Sequence, residues 1–586
     1  MGTPGMEERT GRISPAPLGM ALIIGMGLPS APLYAQGSPL KVAKEWWRAW
    51  SKGKVDLQAP LPTKNPRFLN PRSQKIRETV KARGRFFYWS AETELSFVIS
   101  GLAAQTGTEA RSWLFRFALA HVGPKLANEW KAPASTKRQP WLVRALAIRA
   151  LARSADPGIQ EEALALLEGT APKGSKAVPP LLAQQVGASI LAQREASVPL
   201  PKIQSLLDAP EALARAAGLL LCANLGMVST LNLVPKLLQK EKDPRIRIRA
   251  WHSLSSILSG DPSNLGDRGP LRTKALALLR RSLLSHKTPL GERLAICRCL
   301  FSAQPKEVKA WIPALKALRE DSRSPRLRWW LDGICEELAP RKKRRRRKRD
   351  RSRPEYPTDL PQLFGRPALG NRILILLDSS EALNGPWYPL DRSGKSTRPM
   401  GVPKKTLGQA VTQEILRFVA SLGPQQKFRL ICYGKKTKVF PKKGFVHHGP
   451  TQQKKLAGFL QSLRGKGKAN HGKALLQGVL GLRNGAPLPL PSLSPPKSPD
   501  CVLWLPCSAP MAGKIRSMTA ISALAIPALR EGSVPIHIAY LADRRPLIRK
   551  TPFYQLTIAA GISRAFRKIA EESLGTYAMF LHPNHR

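Results

Sequence analysis

The chain has 586 residues, 42% of them hydrophobic, and carries 95 Lys and Arg against 39 Asp and Glu, a net charge of +56. That hydrophobic content excludes a chain disordered throughout, and the length exceeds what one core supports, so several domains are expected. The charge says nothing about fold but predicts attraction to polyanions: nucleic acid, acidic glycan or an anionic membrane surface.

Residues 1–35 have the layout of a secretory signal peptide. Arg9 and Arg12 precede an apolar run from Leu18 to Leu28, and small residues around Ala31 and Ala35 follow. Cleavage is expected after Ala35. The run is too short to span a bilayer, for which about 20 residues are needed, and no later segment is long and apolar enough. An exported protein without an integral membrane segment is therefore expected. Its seven cysteines are odd in number and sparse, which argues against a disulfide framework. Cys297 and Cys299 sit two apart in a helix, on different faces, and Cys432 and Cys501 fall in strands as small core residues.

Residues 36–135 read as a helical region. Lys41–Ser51 places Trp46, Trp47 and Trp50 at helical spacing, Arg72–Arg83 is amphipathic and basic, and Glu92–Ala104 and Glu109–His121 are apolar helices. The aromatic residues Phe86 to Trp89 read as core rather than as a base-stacking platform.

From residue 136 to 338, apolar helices are punctuated by Pro at a helix start: Pro157 after Asp156, Pro210, Pro244 after Asp243, Pro289 after Thr288 and Pro325 after Ser324. Asp or Ser at the N-cap with Pro at the first helical position is a physically favourable start. Helical units of such length stack into an α-solenoid. The segment resembles HEAT or armadillo repeats, notably in Lys242-Asp243-Pro244-Arg245-Ile246-Arg247-Ile248-Arg249-Ala250. The resemblance implies a concave binding surface, and no catalytic constellation appears within the segment.

Residues 339–368 read as a polybasic, Pro-rich linker. Arg341, Lys342, Lys343, Arg344, Arg345, Arg346, Arg347, Lys348 and Arg349 are nine consecutive cations. Self-repulsion extends such a run, and its affinity for a polyanion is salt-dependent. These nine residues are the candidate polyanion-binding site, with a solvated spacer as the alternative reading.

Residues 369–586 alternate strand and helix. The expected strands are Ile373–Leu377, Lys427–Tyr433, Lys438–Phe440, Cys501–Leu505 and Pro535–Tyr540, and the helices Leu407–Leu422, Thr451–Leu463, His471–Leu482, Met518–Arg530 and Arg564–Leu574. Continuous apolar strands alternating with helices predict a doubly wound, mostly parallel α/β sheet of Rossmann-like kind. Five aliphatic residues followed by Asp378-Ser379-Ser380 put a polar loop at a strand's carboxyl end, where open α/β sheets bind ligands.

Ile373–Ser380, Gln426–Gly434, Asn470–Leu475 and Phe566–Tyr577 together resemble the successive landmarks of a von Willebrand factor type A (vWA) domain over some 210 residues. The resemblance implies a metal-ion-dependent adhesion site with Asp and Ser ligands in the first loop, a Thr in a second and an Asp in a third. Asp378 and Ser380 match the first two ligands. Ala382, Ala469 and Pro506 or Cys507 occupy the other three positions. The site is thus degenerate, and Mg²⁺, which demands near-octahedral oxygen ligation, is bound far more weakly than in a complete site.

Gly467–Ala474 and Gly394-Lys395-Ser396 imitate phosphate loops, but neither has both the residues and the strand-to-helix context. No metalloprotease, hydrolase or paired-carboxylate motif is present. The combined expectation is multidomain: a HEAT-like α-helical solenoid followed by a vWA-like α/β domain, in an exported, non-catalytic protein that binds a protein partner. Polyanion binding through the linker is the alternative function.

Overall fold

The computed structural model describes residues 39–55, 91–121, 140–170, 178–258, 269–338, 353–385, 406–478, 499–508, 534–541 and 552–580, apart from 106, 226–227, 304–305, 435 and 464. The expected signal peptide, the helices Arg72–Arg83 and Met518–Arg530, the cluster Phe86 to Trp89 and all nine residues of Arg341–Arg349 lie outside the described residues.

The first part is helical. Its helices are α1 (Pro39–Ser51), α2 (Ala91–Ala103), α3 (Thr108–Ala118), α4 (Pro140–Arg153), α5 (Gly158–Leu166), α6 (Pro180–Arg194) and α7 (Leu200–Asp208). They continue with α8 (Ala212–Leu225), α9 (Leu233–Lys240), α10 (Pro244–Leu258), α11 (Gly269–Leu284), α12 (Leu290–Ala303), α13 (Ile312–Asp321) and α14 (Pro325–Leu338). Alternate helices stack on one another: α4 on α6, α6 on α8, and so on through α10, α12 and α14. The intervening helices form a second row, with α7 against α9 and α11 against α13.

Local chemistry explains these starts and stops. Asp243 Oδ1 accepts the Arg245 N–H and Ser324 Oγ accepts the Leu327 N–H, so these two Asp/Ser-Pro signals cap real helices, while Asp156 Oδ1 accepts the Gly158 N–H in the turn that leads into α5. The Arg245 side chain, also bonded to Asp243, lowers that carboxylate's pKa. Arginines of the first row satisfy carbonyls orphaned at preceding helix ends. Arg194 donates to Leu151 O and Ser154 O, Arg215 to Ala209 O and Pro210 O, and Arg247 to Leu238 O. Arg215 and Arg247 also pair with the buried carboxylates of Glu241 and Glu292 at 2.6 and 2.8 Å. The charge of these arginines is therefore structural.

The second part contains a hairpin, β1 (Gln362–Leu363) with β2 (Arg366–Pro367), and a mixed sheet. Its strands are β3 (Arg372–Asp378), β4 (Lys427–Tyr433), β5 (Thr437–Phe440), β6 (Val446–His447), β7 (Cys501–Leu505), β8 (Ile536–Leu541) and β9 (Tyr577–Phe580). The order is β5-β4-β3-β7-β8-β9, with β6 also pairing β4. β4, β3, β7, β8 and β9 are mutually parallel, whereas β5 and β6 run antiparallel to β4. The helices are α15 (Leu407–Ala420), α16 (Pro450–Gln461), α17 (His471–Gly478) and α18 (Pro552–Glu572). α15 opens with a capping box between Thr406 and Gln409.

Alternation along β3 divides the core. Leu374 and Leu376 pack with Tyr433, Trp504 and Phe566 on one face; Ile373, Ile375 and Leu377 pack with Val411, Ile415 and Leu456 on the other. β9 was not expected from the sequence, and α18 begins well before the expected Arg564. Gly575 lets the chain turn from α18 into β9, since a Cβ there would lie 2.0 Å from Ile536 O.

The two parts share a packed junction. The Trp329 ring of α14 stacks on Tyr356 with centroids 4.7 Å apart, and its Nε1–H donates to Glu355 O. Tyr356 in turn donates to Leu574 O at 2.7 Å and meets the His537 ring edge-on. Residues 353–367, expected as the second half of a spacer, are thus folded against both parts. All seven cysteines are free thiols, with Cys432 and Cys501 in the sheet core as expected. Among the described residues no helix is long and apolar enough to cross a membrane.

Candidate functional site

Chain order makes the geometry. β3 comes first, β4 is laid on one side of it, and β7 on the other, so the winding reverses between β3 and β7. The carboxyl ends of these two strands form the switch-point crevice where α/β sheets place ligands. Asp378 ends β3 there, and Pro506-Cys507-Ser508 follow β7.

The crevice is closed by the protein's own hydrogen bonds. Asp378 is fully buried; its Oδ1 accepts the Ser380 N–H at 2.9 Å, and its Oδ2 accepts the Cys507 N–H at 3.0 Å and the Ser508 hydroxyl at 2.8 Å. With its proton given to Asp378, Ser508 Oγ is left to accept from the Ser380 hydroxyl, 3.3 Å away. Both predicted ligands, Asp378 and Ser380, are therefore brought together, but each is bound into the protein.

His471, at the start of α17, completes the arrangement. Its Nε2 lies 2.8 Å from the Ser508 carbonyl, which only accepts, so Nε2 carries the proton and donates. Burial lowers the His471 pKa, outweighing the opposing pull of Asp378, so the ring is neutral and Nδ1 is an acceptor. Nδ1 takes the Tyr433 hydroxyl proton at 3.0 Å, and the Tyr433 oxygen accepts the Trp504 Nε1–H at 2.6 Å. The phenol is held protonated, its pKa raised mainly by burial and further by Asp378. A directed chain thus runs from Trp504 through Tyr433 and His471 to the backbone of Ser508. His471 stays 4.0 Å from Asp378 Oδ2 and makes no hydrogen bond to it.

These residues do not fit a divalent cation. Three of the expected ligand positions hold Ala382, Ala469 and Pro506 or Cys507, and all four of these side chains are buried. The remaining carboxylate has donors on both oxygens, one of them a backbone N–H that cannot turn away. A cation at Asp378 Oδ2 would have to displace Ser508 and face the Cys507 N–H. Among the described residues no three His, Cys, Asp or Glu side chains converge as a metal site.

Sequence reasoning missed Ser508 and the role of His471. A hydroxyl three residues beyond β7, at the mouth of the third loop, was the available signal. The loop at 465–470 lies over the same edge: Lys466 N–H donates to Ser379 O, Glu381 N–H to Gly467 O, and Gly467 N–H to Glu381 Oε1. Gly465 permits this approach, since a Cβ there would lie 2.6 Å from Ser380 O.

No family model matches the chain, and no curated protein matches it. A solved structure titled von Willebrand factor type A from Catenulispora acidiphila is similar to it at 12% identity, covering 36% of this chain and 39% of that one, with a TM-score of 0.23. The chain thus spans about two fifths of that protein's length, and the likeness carries no functional assignment.

Proposed function

We propose that this is an exported, non-catalytic binding or scaffold protein. It uses a HEAT-like solenoid and the carboxyl edge of a vWA-like sheet as two protein-contact surfaces. The observation that carries the reading is the stack from α4 to α14, in which alternate helices pack on one another in series. The sealed edge at Asp378 supports the same reading: a partner docking there meets loops and side chains, not an open coordination position. A second reading, polyanion binding through Arg341–Arg349, is favoured by nine successive cations in a chain of net charge +56.

The test is a chemical cross-linking experiment with the mature full chain in an extract of the producing organism, followed by peptide mapping. Cross-links from one recurrent protein to α6–α12 or to the 465–470 loop support the scaffold reading. Cross-links confined to the cationic run, lost when Arg341–Arg349 is replaced by Ser and Gly, transfer the function to that run. Absence of any recurrent partner in both forms removes the reading.

A further inference from the structure

From residue 415 to 499 the chain contains sixteen Lys and Arg and not a single Asp or Glu. Such a stretch of 85 residues stands out even here; in the helical part, by contrast, Arg215 and Arg247 are paired with Glu241 and Glu292. The described residues of this stretch build one border of the sheet: β4, the broken edge strand β5–β6, α16 and the loop over Ser379.

The placement of the lysines follows from register. β5 pairs antiparallel with the upper half of β4, Tyr433 facing Thr437 and Leu430 facing Phe440. The chain then bulges outward and rejoins β4 lower down, Phe428 facing Val446. Lys436 and Lys438 are exposed at the top of this border, and Lys442 and Lys443 are exposed on the bulge. Lys438 Nζ reaches Ser462 O at the end of α16, which leads into the top loop bearing the exposed Lys466 and Lys468. The cations therefore follow a stripe about as long as the seven-residue β4, roughly 20 Å at ~3.3 Å per residue. Glu381 is the carboxylate set against the top loop, and it accepts from Gly467.

We propose that this border binds the phosphate backbone of double-stranded DNA without reading its sequence. The proposal deepens the polyanion reading but moves the site from the cationic run to the α/β part. Lysine offers three donors and no acceptor. A surface of lysines with so few carboxylates suits a ligand whose outer face only accepts hydrogen bonds, as phosphodiesters do. Sugar hydroxyls and the ribose 2′-OH also donate, and Glu381, the carboxylate beside this stripe, already accepts from Gly467. The stripe has a rod's dimensions: 20 Å of duplex presents about twelve charges at one per ~1.7 Å. Of its aromatic rings, Phe440 is packed between Phe428 and Phe459 and Phe445 is half-buried against the core, so neither stands out as an open platform for unpaired bases.

The test measures fluorescence anisotropy of a labelled duplex with the full chain between 50 and 200 mM salt. Three variants are compared: K436Q/K438Q/K442Q/K443Q, K466Q/K468Q, and replacement of Arg341–Arg349 by Ser and Gly. Neutralising four contacting lysines should weaken binding at least about tenfold at low salt and lower the salt slope by about three to four. The two-lysine variant should lower it by about two, and both losses should persist when the cationic run is replaced. Circular dichroism and melting check that the variants fold; should the four-lysine variant melt early, the two-lysine variant decides. Unchanged affinity and slope in a folded variant overturns the proposal. So does binding that vanishes with the cationic run alone, which leaves the polyanion reading standing. Edge-dependent binding to a sulfated glycan or to anionic phosphatidylglycerol vesicles, with none to the duplex, overturns it as well.

Discussion

Replacing Asp378 by Asn tests the internal locking of the switch point. The carboxylate accepts from three donors on two oxygens, whereas an amide has one acceptor oxygen and an NH₂ group. With its oxygen placed toward Cys507 and Ser508, the NH₂ confronts the Ser380 N–H. Turned round, it confronts the Cys507 N–H. The better orientation forfeits one hydrogen bond to a charged group and strands a buried donor, a loss of about 3 kcal/mol. Removing a buried charge recovers part of its desolvation, leaving about 2 kcal/mol. Hydrogen exchange of peptides covering β3 and β7 reads this locally, since 2 kcal/mol corresponds to about thirtyfold faster exchange where opening is local. Asp378→Ala, which strands all three donors, should exceed it. Protection in Asp378→Asn equal to that of the parent refutes the locking, as does a melting temperature raised by millimolar Mg²⁺ in the parent but not in Asp378→Ala.

Three further outcomes follow from the packing. Burial lowers the His537 pKa to about 3, aided by Arg353 and Arg366, so unfolding takes up a proton wherever the pH lies between about 6.5 and 3. Stability conferred by the neutral ring is full above pH 6.5 and declines as pH falls, by at most about 1.4 kcal/mol per unit; His537→Gln should flatten that slope in urea titrations. Trp329→Ala, which removes a buried ring and its bond to Glu355 O, should cost about 3 kcal/mol or more and expose 353–367 to protease, whereas Tyr356→Phe should cost only about 1. Arg247→Ala leaves the buried Glu292 with only the Trp251 Nε1–H and should destabilise the helical part by about 3 kcal/mol, a loss that Arg247→Ala/Glu292→Gln largely recovers in thermal melts.

Local patterns were legible where local physics decides the outcome. The run Ile373–Leu377 is too short for a helix and too apolar for an edge, and it forms the central strand. The Asp243-Pro244 and Ser324-Pro325 starts are helix starts because a side-chain oxygen and a fixed φ act within a single turn. The missing ligand positions at Ala382 and Ala469 were also legible, since coordination depends on residue type. What filled the crevice instead was not. Ser508 lies 130 residues from Asp378, and a serine after a strand has no distinguishing neighbourhood. Likewise the Pro-rich segment from Pro354 reads as a spacer because its partner, Leu574, is 218 residues away from Tyr356. β9 eluded the reading because four residues at a sheet edge barely alternate.

The junction changes what holds the two parts together. Gly333, five residues before the end of α14, touches Pro354, and Trp329 binds Glu355. The chain therefore leaves the junction after Leu338 and is back in it by residue 354. Leu338 and Pro354 are thus held at one junction, and side chains join the two parts there in addition to the chain itself. Side-chain cohesion of this kind does not depend on the covalent link between Leu338 and Arg353.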